Sequence, residues 1–227
     1  MPAIKILPSI LAADMANLER DARRALDGGA DGLHVDIMDG HFVPNLSMGP
    51  AVVKALRRCL GPETSLHVHL MITDPGRYAE AFIKAGANTV LIHVEADGDI
   101  PAVLQAIRSA GARAGITLNP ATPAQEVRAL LEARAVDEVL CMTVQPGFGG
   151  QAFMAEVLPK IETVRQWAPQ LDISVDGGVD QETAQACAAH GANVLLAGTS
   201  LFRADPMAPA IEAMRTACAR KLEAAGS

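Results

Sequence analysis

Side chains that could bind a metal or move a proton occur at alternate positions in otherwise apolar segments. The segment LHVDIM carries His34 and Asp36 two positions apart, LHVHLM carries His69, and ISVD ends on Asp176. Because side chains two positions apart on a β-strand share a face, these segments predict strands with one apolar face and one reactive face. If the strand ends meet, His34, Asp36, His69 and Asp176 form one cluster.

Two imidazoles and two carboxylates are a donor set for one divalent cation such as Zn, Fe, Mn or Co. The sequence has no short ligand-spacing motif, so for any single histidine a purely structural role remains the alternative. His67 is expected to fill a lower layer of the interior or to lie beside the metal. A structural role is the better expectation for His41, His93 and His190.

Glycines cluster after three later apolar segments and predict an anion site. They form the run Gly147, Phe148, Gly149 and Gly150, the pair Gly177 and Gly178, and the step from Gly198 to Thr199. Glycine lets backbone N–H groups approach an anion closely, and a helix N-terminus favours negative charge. These glycine segments contain no Lys or Arg, so we expect backbone amides to bind a phosphate group.

A recurring cassette predicts the elements that position these residues. A helix end, a Gly-Ala step and an apolar run recur, with the glycine at positions 29, 86, 111 and 191. The gaps of 57, 25 and 80 residues are close to two, one and three units of about 27. With four further apolar runs and amphipathic stretches between them, the sequence predicts an α/β fold, a single (β/α)8 TIM barrel domain over residues 1–227. A doubly wound open sheet is the alternative, and the near-equal spacing favours closure.

Composition excludes several classes of function. The chain has 227 residues, a net charge of −7 and only 3% aromatic residues, which argues against nucleic-acid binding. No apolar run reaches membrane-spanning length, and the first apolar run predicts a strand rather than a signal peptide. The four cysteines are widely spaced, as in proteins of a reducing compartment. We therefore expect a cytoplasmic protein with no membrane or nucleic-acid partner.

A metal beside a phosphate site suits two reactions of a phosphorylated sugar, proton abstraction next to a carbonyl or aldol-type cleavage. Carboxylates on different strands favour the first, because one can take a proton from one face of a carbon while the other delivers one to the opposite face. Met38, Met71 and Met142 would line the gap between the carboxylates without offering exchangeable protons, although core filling is the alternative for each.

Six motifs resemble one known family. VDIMDGHFVPN, HVHLMI, LNPATP, MTVQPGFGGQAF, VDGGV and AGTSLF occur in the order typical of the ribulose-phosphate 3-epimerase family, over nearly the whole chain. The resemblance implies a metal-dependent isomerase of the pentose phosphate pathway that interconverts D-ribulose 5-phosphate and D-xylulose 5-phosphate through a metal-stabilised enediolate. It also leads us to expect a homo-oligomer.

The resemblance also implies roles for individual residues. Asp36 would accept the proton and Asp176 donate it, with the roles exchanged in the reverse direction. Both would bind the divalent metal together with His34 and His69. The substrate would contact Ser9, His69, Gly147, Phe148, Gly149, Gly150, Gly177, Gly178, Gly198 and Thr199.

The chain departs from the family pattern at a few positions, and other activities remain open. His67 stands where the strand-three motif often has Asp, Gln145 where Glu or Asn is familiar, and Thr199-Ser200 where Ser-Ala is common. The nearest alternative is a 3-epimerase of the same family acting on a ketohexose 6-phosphate. Others are an aldol lyase resembling hexulose-phosphate synthase and a non-catalytic phosphate-binding barrel.

Overall fold

Eight parallel strands form one sheet in the computed structural model, which describes residues 2–225. The sheet order is β1-β8-β7-β6-β5-β4-β3-β2, and a parallel bridge between Ser9 and His34 joins the two edges. This closure confirms the predicted (β/α)8 TIM barrel and removes the open-sheet alternative. The strands are β1 (Lys5–Pro8), β2 (Leu33–Met38), β3 (Leu66–Met71), β4 (Thr89–His93), β5 (Arg113–Leu118), β6 (Glu138–Met142), β7 (Asp172–Asp176) and β8 (Val194–Ala197).

Helices alternate with the strands, and two follow the last strand. The final helix begins at Met207, and residues 226–227 lie outside the described part of the chain. The helices are α1 (Leu18–Asp27), α2 (Pro50–Leu60), α3 (Pro75–Ala85), α4 (Ile100–Ser109), α5 (Arg128–Glu132), α6 (Leu158–Trp167), α7 (Gln181–Ala189), α8 (Thr199–Phe202) and α9 (Met207–Ala225).

Local sequence explains where the helices begin and end. The Asp74 carboxylate accepts the backbone N–H of Arg77 at the start of α3, and Pro75 occupies the first turn, where no N–H partner is needed. The helix ends at Gly86, whose φ of 115° is costly for any residue with a Cβ. These caps stop the helix and return the chain to the next strand.

The two faces of β2 pack against different neighbours. Leu33, Val35 and Ile37 face outward and belong to the large apolar core between barrel and helices. A smaller cluster fills the inside of the barrel, with Leu7, Leu91, Leu140, Met142, Val144, Val194 and Leu196 contributed by several strands or by residues directly after them. The interior is therefore packed, and the reactive face of β2 lies against this filled interior.

Candidate active site

Strand register brings the four predicted ligands together. Asp36 of β2 pairs with His69 of β3, and Asp176 is the last residue of β7. One potential ligand atom from each of His34, Asp36, His69 and Asp176 lies within 4.8 Å of the others. We call these four residues the ligand cluster.

The Asp36 carboxylate is the centre of the ligand cluster. Its Oδ1 lies 3.0 Å from Nε2 of His34 and 3.1 Å from Nδ1 of His69. The Ser9 hydroxyl donates a 2.6 Å hydrogen bond to the other oxygen, Oδ2. Both imidazoles are fully buried and Asp36 is 3% exposed, so these contacts are largely shielded from bulk water.

The pKa values of the two carboxyl groups are displaced in opposite directions. Burial acts to raise the pKa of Asp36, but His34 and His69 outweigh it and hold that pKa well below the ordinary value. Burial raises the pKa of Asp176, and the negative charge of Asp36 raises it further. Two nearby carboxyl groups held at different pKa values are suited to separate acid and base roles.

The donor set of the ligand cluster fits a divalent cation. Two imidazole nitrogens and a carboxylate oxygen point at one another, and their lone pairs repel unless a proton or a cation lies among them. Imidazole and carboxylate groups are preferred ligands of Zn, Fe, Mn and Co.

A cavity of about 670 Å³ opens above the ligand cluster at the C-terminal ends of the strands. Asp36 and Asp176 form part of its wall, with Met38, Met71 and Met142 beside them. His34 and His69 lie beneath this surface, so the described geometry places His69 against Asp36 rather than in the cavity wall. The volume is in the range of small-molecule sites.

The predicted glycine residues also line this cavity. We call Gly147, Phe148, Gly149, Gly150, Gly177, Gly178, Gly198 and Thr199 the glycine loops, and all eight line the cavity. Close packing explains one of these glycines. At Gly177, with φ of 111°, an added Cβ would lie 2.3 Å from a Cγ of Val144. No larger residue fits there without moving its neighbours.

Asn45 and Arg203 line the cavity and were not among the predicted site residues. The Asn45 side chain donates a 2.7 Å hydrogen bond to the backbone oxygen of Gly147, which ties the loop after β2 to the glycine loops. Arg203 directly follows α8 and lines the cavity as an exposed cation. VPN and TSLF belong to the motifs VDIMDGHFVPN and AGTSLF, but the spatial neighbours of Asn45 and Arg203 depend on contacts between distant strands.

The remaining histidines divide into two groups. His67 lies against His34, and His93 lies against His69, so both contact the ligand cluster from outside. His41 is exposed in the loop after β2, and its Nδ1 lies 3.0 Å from the backbone oxygen of Asp39. His190 follows α7 and bonds to the backbone oxygen of Ala186.

Comparison with known proteins identifies one family. The model of the ribulose-phosphate 3 epimerase family matches residues 5–202. The chain belongs to the ribulose-phosphate 3-epimerase family. This confirms the resemblance seen in the motifs, and the matched residues extend from β1 through α8. They therefore include the ligand cluster and the glycine loops.

Members of this family from distant organisms are similar over nearly their whole length. The chain is 46% identical to "Ribulose-phosphate 3-epimerase, cytoplasmic isoform" of Oryza sativa subsp. japonica, covering 94% of this chain and 93% of the relative. It is 45% identical to the ribulose-phosphate 3-epimerase of Bacillus subtilis (strain 168), covering 93% and 98%.

Solved structures support the fold alone. The 3-hexulose-6-phosphate synthase of Salmonella typhimurium is 16% identical with a TM-score of 0.70, covering 96% of this chain and all of that one. KGPDC of Streptococcus mutans has a TM-score of 0.72 at 16% identity, covering 96% and 99%. Among residues 2–225, no helix has the length and apolar character needed to cross a membrane.

Proposed function

We propose that the chain is an isomerase that interconverts D-ribulose 5-phosphate and D-xylulose 5-phosphate by proton transfer at C3. Family membership and the names of its relatives support this activity. The observation that carries the proposal is the pair of carboxylates, Asp36 and Asp176, which lie on different strands in the wall of one cavity. The glycine loops that line the same cavity suit a phosphate group.

The ligand cluster is proposed to hold one divalent cation, of which Zn, Fe, Mn and Co suit the donors. His34 and His69 would bind through ring nitrogens, and Asp36 and Asp176 through carboxylate oxygens. Such a cation is a Lewis acid that polarises a substrate carbonyl and stabilises negative charge on its oxygens.

Asp36 and Asp176 carry the proton transfers in this proposal. Asp36, held by the Ser9 hydroxyl, removes the C3 proton from one face of the substrate. Asp176 delivers a proton to the opposite face, and the roles exchange in the reverse direction. Each positioned acid or base contributes about 10²–10⁴-fold to the rate.

The methionines protect the intermediate that forms between the two carboxylates. Met38, Met71 and Met142 are at most 5% exposed and line the cavity beside Asp36 and Asp176. A thioether has no exchangeable proton, so this wall excludes water without offering a competing acid. A polar residue in its place could protonate the carbanion from the wrong direction.

The glycine loops are proposed to bind the substrate phosphate through backbone N–H groups. Glycine permits the close approach, and the exposed cation of Arg203 adds charge at the rim. The ketohexose 6-phosphate alternative requires the same chemistry with a longer distance between the reacting carbon and the phosphate. The aldol alternative requires no second carboxylate.

Three wider expectations accompany this function. We propose that residues 1–227 form one domain, since the eight strands share one sheet. We propose a cytoplasmic enzyme of carbohydrate metabolism in the pentose phosphate pathway, as a relative named as the cytoplasmic isoform suggests. A homo-oligomer stays a prediction that sedimentation of the purified protein would test.

Product analysis of the purified protein tests the activity. Incubated with a divalent metal and D-ribulose 5-phosphate, the protein should form D-xylulose 5-phosphate, observed by NMR. Ketohexose 6-phosphates run in parallel should epimerise far more slowly. Faster epimerisation of the hexose substrate would favour the alternative within the family. Cleavage of a carbon–carbon bond without epimerisation would contradict the proposal.

A further inference from the structure

Each histidine of the ligand cluster is backed by a second histidine and then by a glutamate. Behind His34, its Nδ1 lies 2.7 Å from Nδ1 of His67, and Nε2 of His67 lies 2.8 Å from Oε1 of Glu138. We call Glu138 and His67 the inner relay. Both are buried, at 1% and 2% exposure, inside the barrel.

The second arrangement lies behind His69. Its Nε2 is 2.8 Å from Nε2 of His93, and Nδ1 of His93 is 3.0 Å from Oε2 of Glu95. We call Glu95 and His93 the outer relay. His93 is fully buried, but the Glu95 side chain is 23% exposed. The inner relay contacts Nδ1 of His34, whereas the outer relay contacts Nε2 of His69.

With the Glu138 carboxylate ionised and both imidazoles neutral, proton counting in the inner relay leaves one arrangement. The Glu138 carboxylate can only accept a hydrogen bond, so the proton of neutral His67 is on Nε2. Nδ1 of His67 must then accept, and Nδ1 of His34 must donate. Nε2 of His34 is left as a bare lone pair facing Asp36.

Proton counting in the outer relay also leaves a bare lone pair facing Asp36, with Nδ1 and Nε2 exchanged. Glu95 also accepts the backbone N–H of Asn119 at 2.8 Å and the hydroxyl of Thr122, so it is held as an acceptor. His93 donates from Nδ1 to Glu95 and accepts at Nε2 from the Nε2–H of His69. Nδ1 of His69 is then the bare lone pair facing Asp36.

We propose that the inner and outer relays are positioning residues that hold His34 and His69 in opposite tautomers. In these tautomers Nε2 of His34 and Nδ1 of His69 are the atoms that bind the cation. The inference rests on the proposed cation site and adds which ring atoms bind and which remote residues select them. Neither Glu138 nor Glu95 touches the substrate cavity.

The two relays should differ in strength because they differ in exposure. Removing a partner that orients a metal-bound histidine typically costs about 10–100-fold in metal affinity. No water can replace the carboxylate of Glu138 in the packed interior, so the inner relay should show the full loss. Water can reach the position of Glu95, so the loss for Glu95→Ala should be smaller.

The first test measures zinc affinity by competition with a chromogenic chelator, with zinc alone as the probe. Glu138→Met, which keeps the volume but removes the acceptor, should weaken zinc binding by about 10–100-fold. Glu138→Gln retains an acceptor oxygen and should lose much less. Thr117→Val is the control, because Thr117 is fully buried in β5 and its hydroxyl has no partner among the described residues.

The second test uses the unaltered protein, so it holds even if a variant fails to fold. Long-range ¹H–¹⁵N correlation spectra of the zinc-loaded protein should show His34 protonated at Nδ1 and His69 protonated at Nε2. The reverse tautomer at either histidine would overturn the proposal for its relay. Unchanged zinc affinity in folded Glu138→Met would also overturn the inner relay and leave the epimerase activity standing. If the protein binds no divalent cation at the ligand cluster, both the proposed cation site and the proposed role of the relays are wrong.

Discussion

The ligand cluster and the glycine loops lie in one cavity but are built in opposite ways. The ligand cluster consists of side chains on strands, and its two histidines are fully buried. The glycine loops consist mainly of backbone in connecting segments, and Phe148 is 55% exposed. One part is fixed by strand register and hydrogen bonds between side chains, and the other by the turns that glycine allows.

This difference matches what each part has to do. Proton transfer at one carbon requires the acid and base to keep their positions to within a fraction of an ångström. A phosphate group at the far end of a substrate has several equivalent oxygens and can be bound by backbone amides without the same positional precision. Changes in the ligand cluster should therefore lower kcat, whereas changes in the glycine loops should chiefly raise KM.

The largest effect is expected for Asp176→Asn. An amide keeps the size of the carboxyl group but neither accepts nor donates the proton, so kcat should fall by at least about 10²–10⁴-fold. KM should change little, because the glycine loops remain. Asp36→Asn should lose activity to a similar extent. Near-normal turnover in either variant, measured with D-ribulose 5-phosphate, would refute the scheme with two carboxylates.

Gly177→Ala should show a large effect of the other kind. The new Cβ would lie 2.3 Å from Val144, and φ of 111° is unfavourable for alanine. Strain of about 1–3 kcal/mol should displace the loop and raise KM by roughly tenfold or more, and kcat should also fall because Gly177 directly follows Asp176. Gly49→Ala is the matched control, because its Cβ meets no atom within 4 Å. A fall in kcat with an unchanged KM would contradict the expectation that changes in the glycine loops raise KM.

Asn45→Ala tests the one direct tie described above between the loop after β2 and the glycine loops. A single hydrogen bond contributes about 1 kcal/mol, so KM should rise by roughly fivefold while zinc affinity stays unchanged. Asn17→Ala is the control, because it removes an amide hydrogen bond to Asp14 outside the cavity wall. A weaker zinc affinity in Asn45→Ala would show that the two parts are coupled more tightly.

The smallest effect is expected for Arg203→Gln at the exposed rim. An exposed charge interacts weakly and is screened by salt. KM for the phosphorylated substrate should rise by roughly twofold at low ionic strength, and the difference should vanish in about 1 M salt. Arg220→Gln, which removes an exposed cation of α9, should change neither value. A loss that persists in high salt would indicate a direct contact with the phosphate.

Much of the barrel and of the ligand cluster could be predicted because their signals are local. The Gly-Ala cassettes mark helix ends, and alternation along LHVDIM and ISVD places His34, Asp36 and Asp176 on inward faces. The place of Gly177 after a strand could be predicted from the glycine pair that follows ISVD. These features depend on chain geometry over a few residues.

The inner relay could not be predicted, because its contacts span the barrel. His67 and Glu138 are 71 positions apart, and only the strand register and the barrel closure bring them to 2.8 Å. The sequence placed His67 in a lower layer or beside the metal, and left His93 as structural. The contact between Asn45 and Gly147, which are 102 positions apart, could not be predicted for the same reason.

Exchange of the C3 hydrogen in deuterated water tests the central claim most directly. Metal-loaded protein at equilibrium with D-ribulose 5-phosphate should place solvent deuterium at C3 of both sugars, since each carboxylate exchanges its proton with solvent between turnovers. Asp36→Asn and Asp176→Asn should each lower the rate of epimerisation by at least about 10²–10⁴-fold. Epimerisation with no deuterium at C3 would contradict the account.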